Sequence, residues 1–192
     1  FAPIKIKKEQ IGRRDTFTPA EYKKITEYFK TWCSGKECKD EKEKYYRETI
    51  RDFFLILSNT GMRFGELKQL TWEDIKGMED TKDDRGWKIK LVQIHIRPET
   101  SKHRQTRYIT SRDGEYFDRV RKRVEDNPQN PATNPDDFVF TSYEGQELPR
   151  RQMDAGWKDL MEKTGFANYK ERKLQYYSLR HYAISLRLRN PE

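Results

Sequence analysis

Cationic side chains that could bind a phosphate group occur in three short segments, which lie far apart along the chain. The first segment, residues 60–67, reads Thr-Gly-Met-Arg-Phe-Gly-Glu-Leu. Arg63 follows the glycine turn and stands at the predicted start of a short helix, where its guanidinium and nearby backbone N–H groups can face one phosphate. The alternative is a surface arginine in an ordinary helix–loop–helix joint, and this segment alone does not exclude it.

The second segment, residues 100–109, reads Thr-Ser-Lys-His-Arg-Gln-Thr-Arg-Tyr-Ile. Its cationic residues occupy the predicted tip of a β-hairpin, a shape that reaches the groove or the backbone of DNA. The predicted DNA contacts in this segment are His103, Arg104 and Arg107, and Lys68, just after the first segment, is predicted as a further DNA contact. The alternative is a solvated turn, because runs of charge usually face water.

The third segment, residues 176–183, reads Tyr-Tyr-Ser-Leu-Arg-His-Tyr-Ala. Ser178 is predicted to cap a helix and Arg180 to lie in its first turn, another position that binds phosphate readily. His181 and Tyr182 fit equally well as core residues beside the apolar stripe of this helix. Each segment is a weak signal when it is taken alone.

The composition favours a polyanionic partner. The net charge is +8 and 38% of the residues are charged, whereas 33% are hydrophobic. Such polarity can indicate disorder, but 13% of the residues are aromatic and the apolar positions are periodic, which predicts a core built on rings. Charge alone leaves a ribosomal, membrane-surface or simply soluble basic protein as an equal alternative to a nucleic-acid-binding one.

Two cysteines, Cys33 and Cys38, are too few for a disulfide scaffold, and no histidine or cysteine nearby completes a zinc pattern. They indicate a reducing, cytoplasmic setting. No stretch approaches the roughly 18 apolar residues of a membrane span, and no signal peptide is recognisable. We therefore expect no structural metal and no membrane partner.

Apolar periodicity predicts an α+β domain, mostly α-helical with a small antiparallel sheet. The predicted helices cover 18–32, 44–59, 63–70, 113–125 and 149–163, with a last helix starting at Ser178. The predicted strands are 87–96, with an irregularity at Gln93, a hairpin partner beginning at Tyr108, and a brief strand at 138–140. The predicted loops are 34–44 and 127–137. Residues 1–17 are interpreted as a linker or the end of a preceding segment, and residues 18–192 as one domain.

In this order, the three segments resemble the motifs of the phage integrase family of tyrosine recombinases. The first family motif is threonine–glycine–hydrophobe–arginine with a glutamate three positions after the arginine, which Arg63 and Glu66 match. The second is a lysine on a β-hairpin, followed five positions later by an arginine that precedes the next strand. Lys102 and Arg107 match it.

The third family motif is His-x-Leu-Arg-His, and Leu179, Arg180 and His181 match its last three positions. Tyr177 stands where the family has its first histidine. A phenol can donate a hydrogen bond to a phosphate oxygen but is a poor base near neutral pH, so general-base chemistry is not expected at this position.

The resemblance implies the tyrosine recombinase catalytic-domain fold and metal-independent cutting and rejoining of DNA through a 3′-phosphotyrosine, with no cofactor. The implied roles are catalytic for Arg63, Lys102, Tyr177 and Arg180, and supporting for Glu66 and His181. The two arginines would balance the charge of the transition state, and Lys102 would protonate the leaving 5′-oxygen.

The resemblance also implies double-stranded DNA as the partner, a tetramer on DNA in the full-length protein, and a bacterial or phage-infected host cell, in association with the nucleoid. The family has a Gly-His segment and then its nucleophilic tyrosine well downstream of the third motif, and neither occurs within residues 1–192. The domain is therefore expected to be incomplete at its C-terminus and inactive by itself.

Three alternatives stay open at this point. The chain could be a catalytically inactive DNA-binding module of the same fold, which Tyr177 favours. It could belong to a type IB topoisomerase or a telomere resolvase, although the compact spacing of the motifs favours an integrase. It could also be a helical nucleic-acid-binding or structural protein with accidental motif matches.

Overall fold

The computed structural model describes residues 15–189, so most of the predicted linker at 1–17 lies outside the described residues. Six helices and one three-stranded sheet follow each other along this part of the chain. In order they are α1 (Pro19–Trp32), α2 (Glu41–Thr60), α3 (Phe64–Lys68), a 3-10 turn (Trp72–Asp74), β1 (Ile75–Lys82), β2 (Lys88–Ile96), β3 (Arg107–Ser111), α4 (Gly114–Glu125), α5 (Arg150–Lys163) and α6 (Tyr176–Arg189). This is the mostly helical α+β architecture that the sequence predicted.

Helix α2 is the centre of the fold, because α4, α5 and α6 all pack against it. Its rings build the predicted aromatic core. Phe53 lies 5.0 Å from Phe140 and 5.7 Å from Tyr176 between ring centroids, and Phe54 lies 5.2 Å from Phe29 on the other side of the helix. Edge-to-face pairs of this kind stabilise the core beyond the burial of each ring. The long helix therefore holds its C-terminal end, where the first motif begins, in a fixed place.

The sheet is antiparallel in the order β1-β2-β3. Val92, Ile94 and Ile96 of β2 face the core, as expected for alternating side chains. The predicted irregularity near Gln93 lies on the neighbouring strand instead, where the register shifts between Ile75 and Gly77. Strand β1 was not predicted, because its sequence has little apolar alternation and its residues from 76 to 80 are exposed.

Two predicted helix starts and one predicted strand are wrong. Helix α2 begins at Glu41, not at Lys44, because the Asp40 carboxylate accepts a hydrogen bond from the Glu43 N–H at 2.7 Å and caps the helix. Residues 138–140 form no strand, since Phe138 makes only a single bridge, to Thr71.

Helix α6 provides the third correction, because it begins at Tyr176 and Ser178 lies inside it. The Ser178 hydroxyl accepts a hydrogen bond from the Gln175 N–H at 3.2 Å, so it still ties the helix start. Arg180 consequently lies in the second turn of α6 and not in the first, and the predicted binding of phosphate by the helix start does not apply to it.

Among residues 15–189, no helix combines the length and the apolar character that crossing a bilayer requires.

Candidate functional site

The joint between α2 and α3 sets the position of Arg63. Helix α2 ends at Gly61, whose φ of +65° is easy only for glycine and whose N–H donates to the Leu57 carbonyl at 3.1 Å. Arg63 is the N-cap of α3. Its backbone N–H and its Nη1 donate to the two carboxylate oxygens of Glu66 at 2.8 and 2.9 Å. One carboxylate therefore fixes both the backbone and the guanidinium of Arg63.

Glu66 also joins the first motif to the second. Arg107, at the start of β3, donates from Nη2 to the same carboxylate at 2.7 Å. Burial of Glu66 opposes its ionisation, but the hydrogen bonds from Arg107 and Arg63 outweigh burial and hold the pKa of this carboxyl below its ordinary value. An ionised Glu66 between two guanidiniums leaves one net positive charge at a partly exposed position.

Arg180 reaches the same joint from α6. Its Nη1 donates to the carbonyl of Gly61, two residues before Arg63. Arg187, two turns further along the helix, donates to the Asn59 carbonyl at 2.8 Å. Between these two arginines α6 comes close to α2, where a Cβ on Gly61 would lie 3.5 Å from the Cβ of Ala183. The free carbonyls at the end of α2 thus hold α6 in place.

Tyr177 and His181 lie four residues apart on α6, one turn from each other. Their rings make an edge-to-face contact with centroids 4.8 Å apart, and both side chains are half-buried. Arg180 lies three residues after Tyr177, a spacing that makes these two side chains neighbours on the helix surface. The third motif therefore brings Arg180 to the α2–α3 joint, and Tyr177 and His181 contact each other on the same helix.

Lys102 lies on the loop between β2 and β3, which covers residues 97–106. Lys102, His103 and Arg104 are exposed, and Arg104 has a positive φ of 50° at the loop tip. Lys102 makes no hydrogen bond or ion pair with another residue of the described chain. Its loop ends at Arg107, whose bond to Glu66 places the base of the loop beside α3.

The other predicted DNA contacts lie in different settings: one at the end of α3, two on the exposed loop and one at the start of β3. Lys68, at the end of α3, forms an ion pair with Glu147. His103 and Arg104 extend from the loop beside Lys102, whereas Arg107 is held against α3. DNA binding by these residues stays a prediction.

The structure brings Arg63, Glu66 and Arg107 into direct contact, ties Arg180 to the same joint, and attaches the loop of Lys102 to it. Guanidiniums anchored at one joint can balance negative charge on a phosphate, and an exposed ammonium on the attached loop can supply a proton. Within residues 15–189, no group of three or more His, Cys, Asp or Glu is arranged to hold a metal ion.

Two residues at this site are absent from the sequence prediction. Arg97 binds the end of α3 through its side chain, and Arg187 binds the end of α2. A signal for Arg187 exists in the sequence, because it follows Arg180 by seven residues and so shares its face of the helix. Arg97 gives no comparable signal, since an arginine before a proline at the end of a strand is ordinary.

Comparison with known proteins was made by sequence and by structure. A family model described as the phage integrase family matches residues 15–190. A search of curated proteins finds no match. Ten solved chains match in structure.

Two of these structural relatives illustrate the similarity. The XerH site-specific recombinase bound to its difH substrate has a TM-score of 0.62 at 18% identity, with 92% of this chain and 44% of that chain covered. The Tn1549 transposon integrase in complex with transposon right end DNA has a TM-score of 0.59 at 14% identity, with 95% and 56% covered. The chain thus spans about half the length of these relatives and shares their fold.

Proposed function

The chain belongs to the phage integrase family, and on that premise we propose that it supplies the phosphate-binding part of the catalytic domain of a site-specific DNA recombinase. The reaction is the cutting and rejoining of DNA strands through a 3′-phosphotyrosine intermediate. The observation that carries this proposal is the convergence of two motifs on the carboxylate of Glu66 and of the third on the carbonyl of Gly61.

In this reaction a tyrosine hydroxyl attacks the scissile phosphodiester, and the 5′-oxygen leaves. Negative charge grows on the non-bridging oxygens, and Arg63 and Arg180 are the groups that balance it. Arg180 has five N–H donors, and its bond to Gly61 uses one of its nitrogens, so others remain for a phosphate. Because these groups are held before DNA arrives, little reorganisation is needed at the moment of reaction.

Lys102 is the proposed general acid. Its ammonium can donate a proton to the 5′-oxygen as the bond from phosphorus to that oxygen breaks. Tyr177 adds a hydrogen bond to the phosphate, Glu66 orients Arg63 and Arg107, and His181 braces α6 through its contact with Tyr177. We propose none of the tyrosines within residues 15–189 as the attacking one. We therefore expect residues 1–192 alone to leave DNA uncut.

The partner is double-stranded DNA carrying a recombination site, and the full-length protein is proposed to assemble on it as a tetramer in the cytoplasm of a bacterial or phage-infected cell. A second candidate is a catalytically inactive DNA-binding module of the same fold. Tyr177 favours this candidate, because it replaces a histidine of the family motif.

The two candidates are separated by incubating the full-length protein with a nicked duplex that carries its recombination site. The enzyme is expected to form an adduct that survives denaturing electrophoresis and disappears on proteolysis. An inactive module is expected to shift the DNA on a native gel and to leave no adduct.

Affinity for duplex DNA is expected to fall steeply with salt, because cationic residues release counterions from the phosphates they neutralise. If about six phosphates are covered, affinity falls roughly 10³-fold between 50 and 200 mM salt. Fluorescence anisotropy with a labelled duplex measures this slope.

Arg104→Gln on the hairpin loop is expected to reduce the salt slope by about one. Lys158→Gln is the matched control, since Lys158 lies on α5 outside the motifs and is exposed. A slope that is flat for the parent protein, or equally reduced by both variants, would count against DNA binding at this face.

A further inference from the structure

The loop that carries Lys102 is organised around Arg97, a residue outside all three motifs. The carbonyl of Arg97 accepts hydrogen bonds from the Thr100 N–H at 3.2 Å, the Thr100 hydroxyl at 3.0 Å and the Ser101 N–H at 3.2 Å. Ser101 is 5% exposed and directly precedes Lys102. The first turn of the loop is thus built on the backbone of Arg97, and Lys102 follows this turn immediately.

The side chain of Arg97 attaches this turn to α3. Its Nη2 donates to the carbonyl of Gln69, the C-cap of α3, at 2.7 Å. Its Nε lies 3.1 Å from Oδ2 of Asp74, a carboxylate that is buried and receives the Thr71 N–H at 3.0 Å. A neutral or shorter side chain at this position could not both bond the Gln69 carbonyl and pair with the Asp74 carboxylate, so the turn would lose its link to α3.

The opposite end of the loop is fixed separately. Thr106 is paired with His95 through its hydroxyl and the Nε2 of the ring at 2.8 Å, and Arg107 is bonded to Glu66. Both ends are therefore tied to the segment that carries Arg63. Between them residues 102–106 are exposed, so the anchors at the two ends determine where the ammonium of Lys102 can go.

We propose that Arg97 is a positioning residue for Lys102, which it holds within reach of the leaving 5′-oxygen. This inference rests on the proposed function. Arg97 itself touches neither the DNA nor the reacting atoms. Its loss leaves the phosphate-binding arginines in place and impairs the transfer of the proton alone.

This division gives a specific test. In the normal reaction the tyrosine hydroxyl gives up its proton to solvent as its oxygen bonds to phosphorus. The bond from phosphorus to the 5′-oxygen breaks, and that oxygen takes a proton from Lys102. If the bridging 5′-oxygen is replaced by sulfur, the leaving group is a thiolate, which needs no proton because a thiol is far more acidic than an alcohol. A defect in proton delivery is therefore cured by the 5′-phosphorothiolate, whereas a defect in charge stabilisation is not.

The experiment measures the rate of adduct formation by the full-length protein on both substrates. Arg97→Ala is expected to slow cleavage of the oxygen substrate by about 10²-fold, the cost of a misplacement of roughly 1 Å, and to match the parent on the sulfur substrate. Lys102→Ala is expected to be rescued in the same way and Arg63→Ala to stay slow on both. Arg112→Ala, at an exposed arginine just after β3, is the matched control and is expected to cut both substrates normally.

Arg97→Lys keeps the charge near Asp74 but cannot also bond the Gln69 carbonyl, so we expect a smaller defect that the sulfur substrate fully rescues. This variant serves if Arg97→Ala fails to fold. The inference is overturned if either Arg97 variant cuts the oxygen substrate at the parent rate, or stays slow on the sulfur substrate while Lys102→Ala recovers. A different result, no adduct from the parent on either substrate, would instead overturn the proposed function.

Discussion

Replacing Arg180 with alanine in the full-length protein is expected to lower the rate of covalent adduct formation by roughly two to four orders of magnitude. Affinity for the duplex is expected to change far less, because one phosphate contact among several is lost. The large effect on rate follows from the bond to the Gly61 carbonyl, which holds the guanidinium at the α2–α3 joint before substrate binds. Single-turnover cleavage of a nicked duplex at saturating protein measures the rate without the affinity.

Two controls separate this loss of charge from a loss of structure. Arg187→Ala removes a second arginine from α6, whose contacts are with carbonyls of α2. It is expected to lower stability and to change the cleavage rate far less than Arg180→Ala does. A methylphosphonate at the scissile position removes the negative charge that Arg180 balances. The difference in cleavage rate between Arg180→Ala and the parent should therefore be smaller on that substrate. Normal cutting of unmodified DNA by Arg180→Ala would show that the residue has another role.

Features that depend on neighbouring residues were predictable from the sequence. Thr18 and Glu21 form the capping box that starts α1, with the Glu21 N–H donating to the Thr18 hydroxyl at 3.2 Å. Gly61 ends α2 in the left-handed conformation, at the glycine turn that the sequence indicated. Such signals lie within one turn of the position they determine, so one sequence is enough to recognise them.

Strand β1 shows why other elements could not be predicted. It has a single bulky aliphatic residue at its start, Ile75, and most of its side chains are exposed. Its strand conformation comes from pairing with β2, from Ile75 opposite Ile94 to Lys82 opposite Lys88. Tertiary contacts determine which strands pair, whereas caps depend on local residues. A strand shows an alternating apolar pattern in its sequence only when one of its faces is buried.

The contacts of the candidate site are of the same tertiary kind. Arg107 and Glu66 are 41 residues apart, and Arg180 and Gly61 are 119 residues apart. No local pattern links either pair, and only the order of the motifs, compared with a family, brought these residues together in the prediction. The resemblance identified the residues, Glu66 among them as a supporting residue, whereas the structure showed which side chains the Glu66 carboxylate binds and that the Gly61 carbonyl holds Arg180.

Asp52→Asn is expected to lower the free energy of unfolding by about 3–5 kcal/mol, the range for removing one partner from a buried charge cluster. The Asp52 side chain is fully buried on α2 and accepts hydrogen bonds from three guanidiniums, those of Arg51, Arg119 and Arg123. Asparagine keeps the shape but presents an amide to three cations. Urea denaturation with an unchanged m value measures the loss.

The pH dependence of the loss in unfolding free energy tests whether the negative charge of Asp52 is its cause. Burial of Asp52 raises its pKa, but the nearby Arg123 and Arg51 outweigh burial and hold the pKa below the ordinary value of an aspartate. A carboxyl with a lowered pKa stabilises the fold fully above about pH 4, the ordinary pKa of the unfolded chain, and this stabilisation fades as the pH falls towards the folded-state pKa. The difference between the parent and Asp52→Asn should therefore be constant near neutrality and shrink in acid.

Asp154→Asn is the matched control for this cluster, because Asp154 also bonds an arginine, Arg150 at 2.8 Å, but both side chains are more than half exposed. Asp154→Asn is expected to lower the free energy of unfolding by less than about 1 kcal/mol, since solvent screens an exposed pair. Equal losses for the two variants would mean that the converging guanidiniums around Asp52 contribute no more than a surface ion pair. In that case α4 would be held on α2 by its apolar face alone, with Phe117, Val120 and Val124 providing the contact.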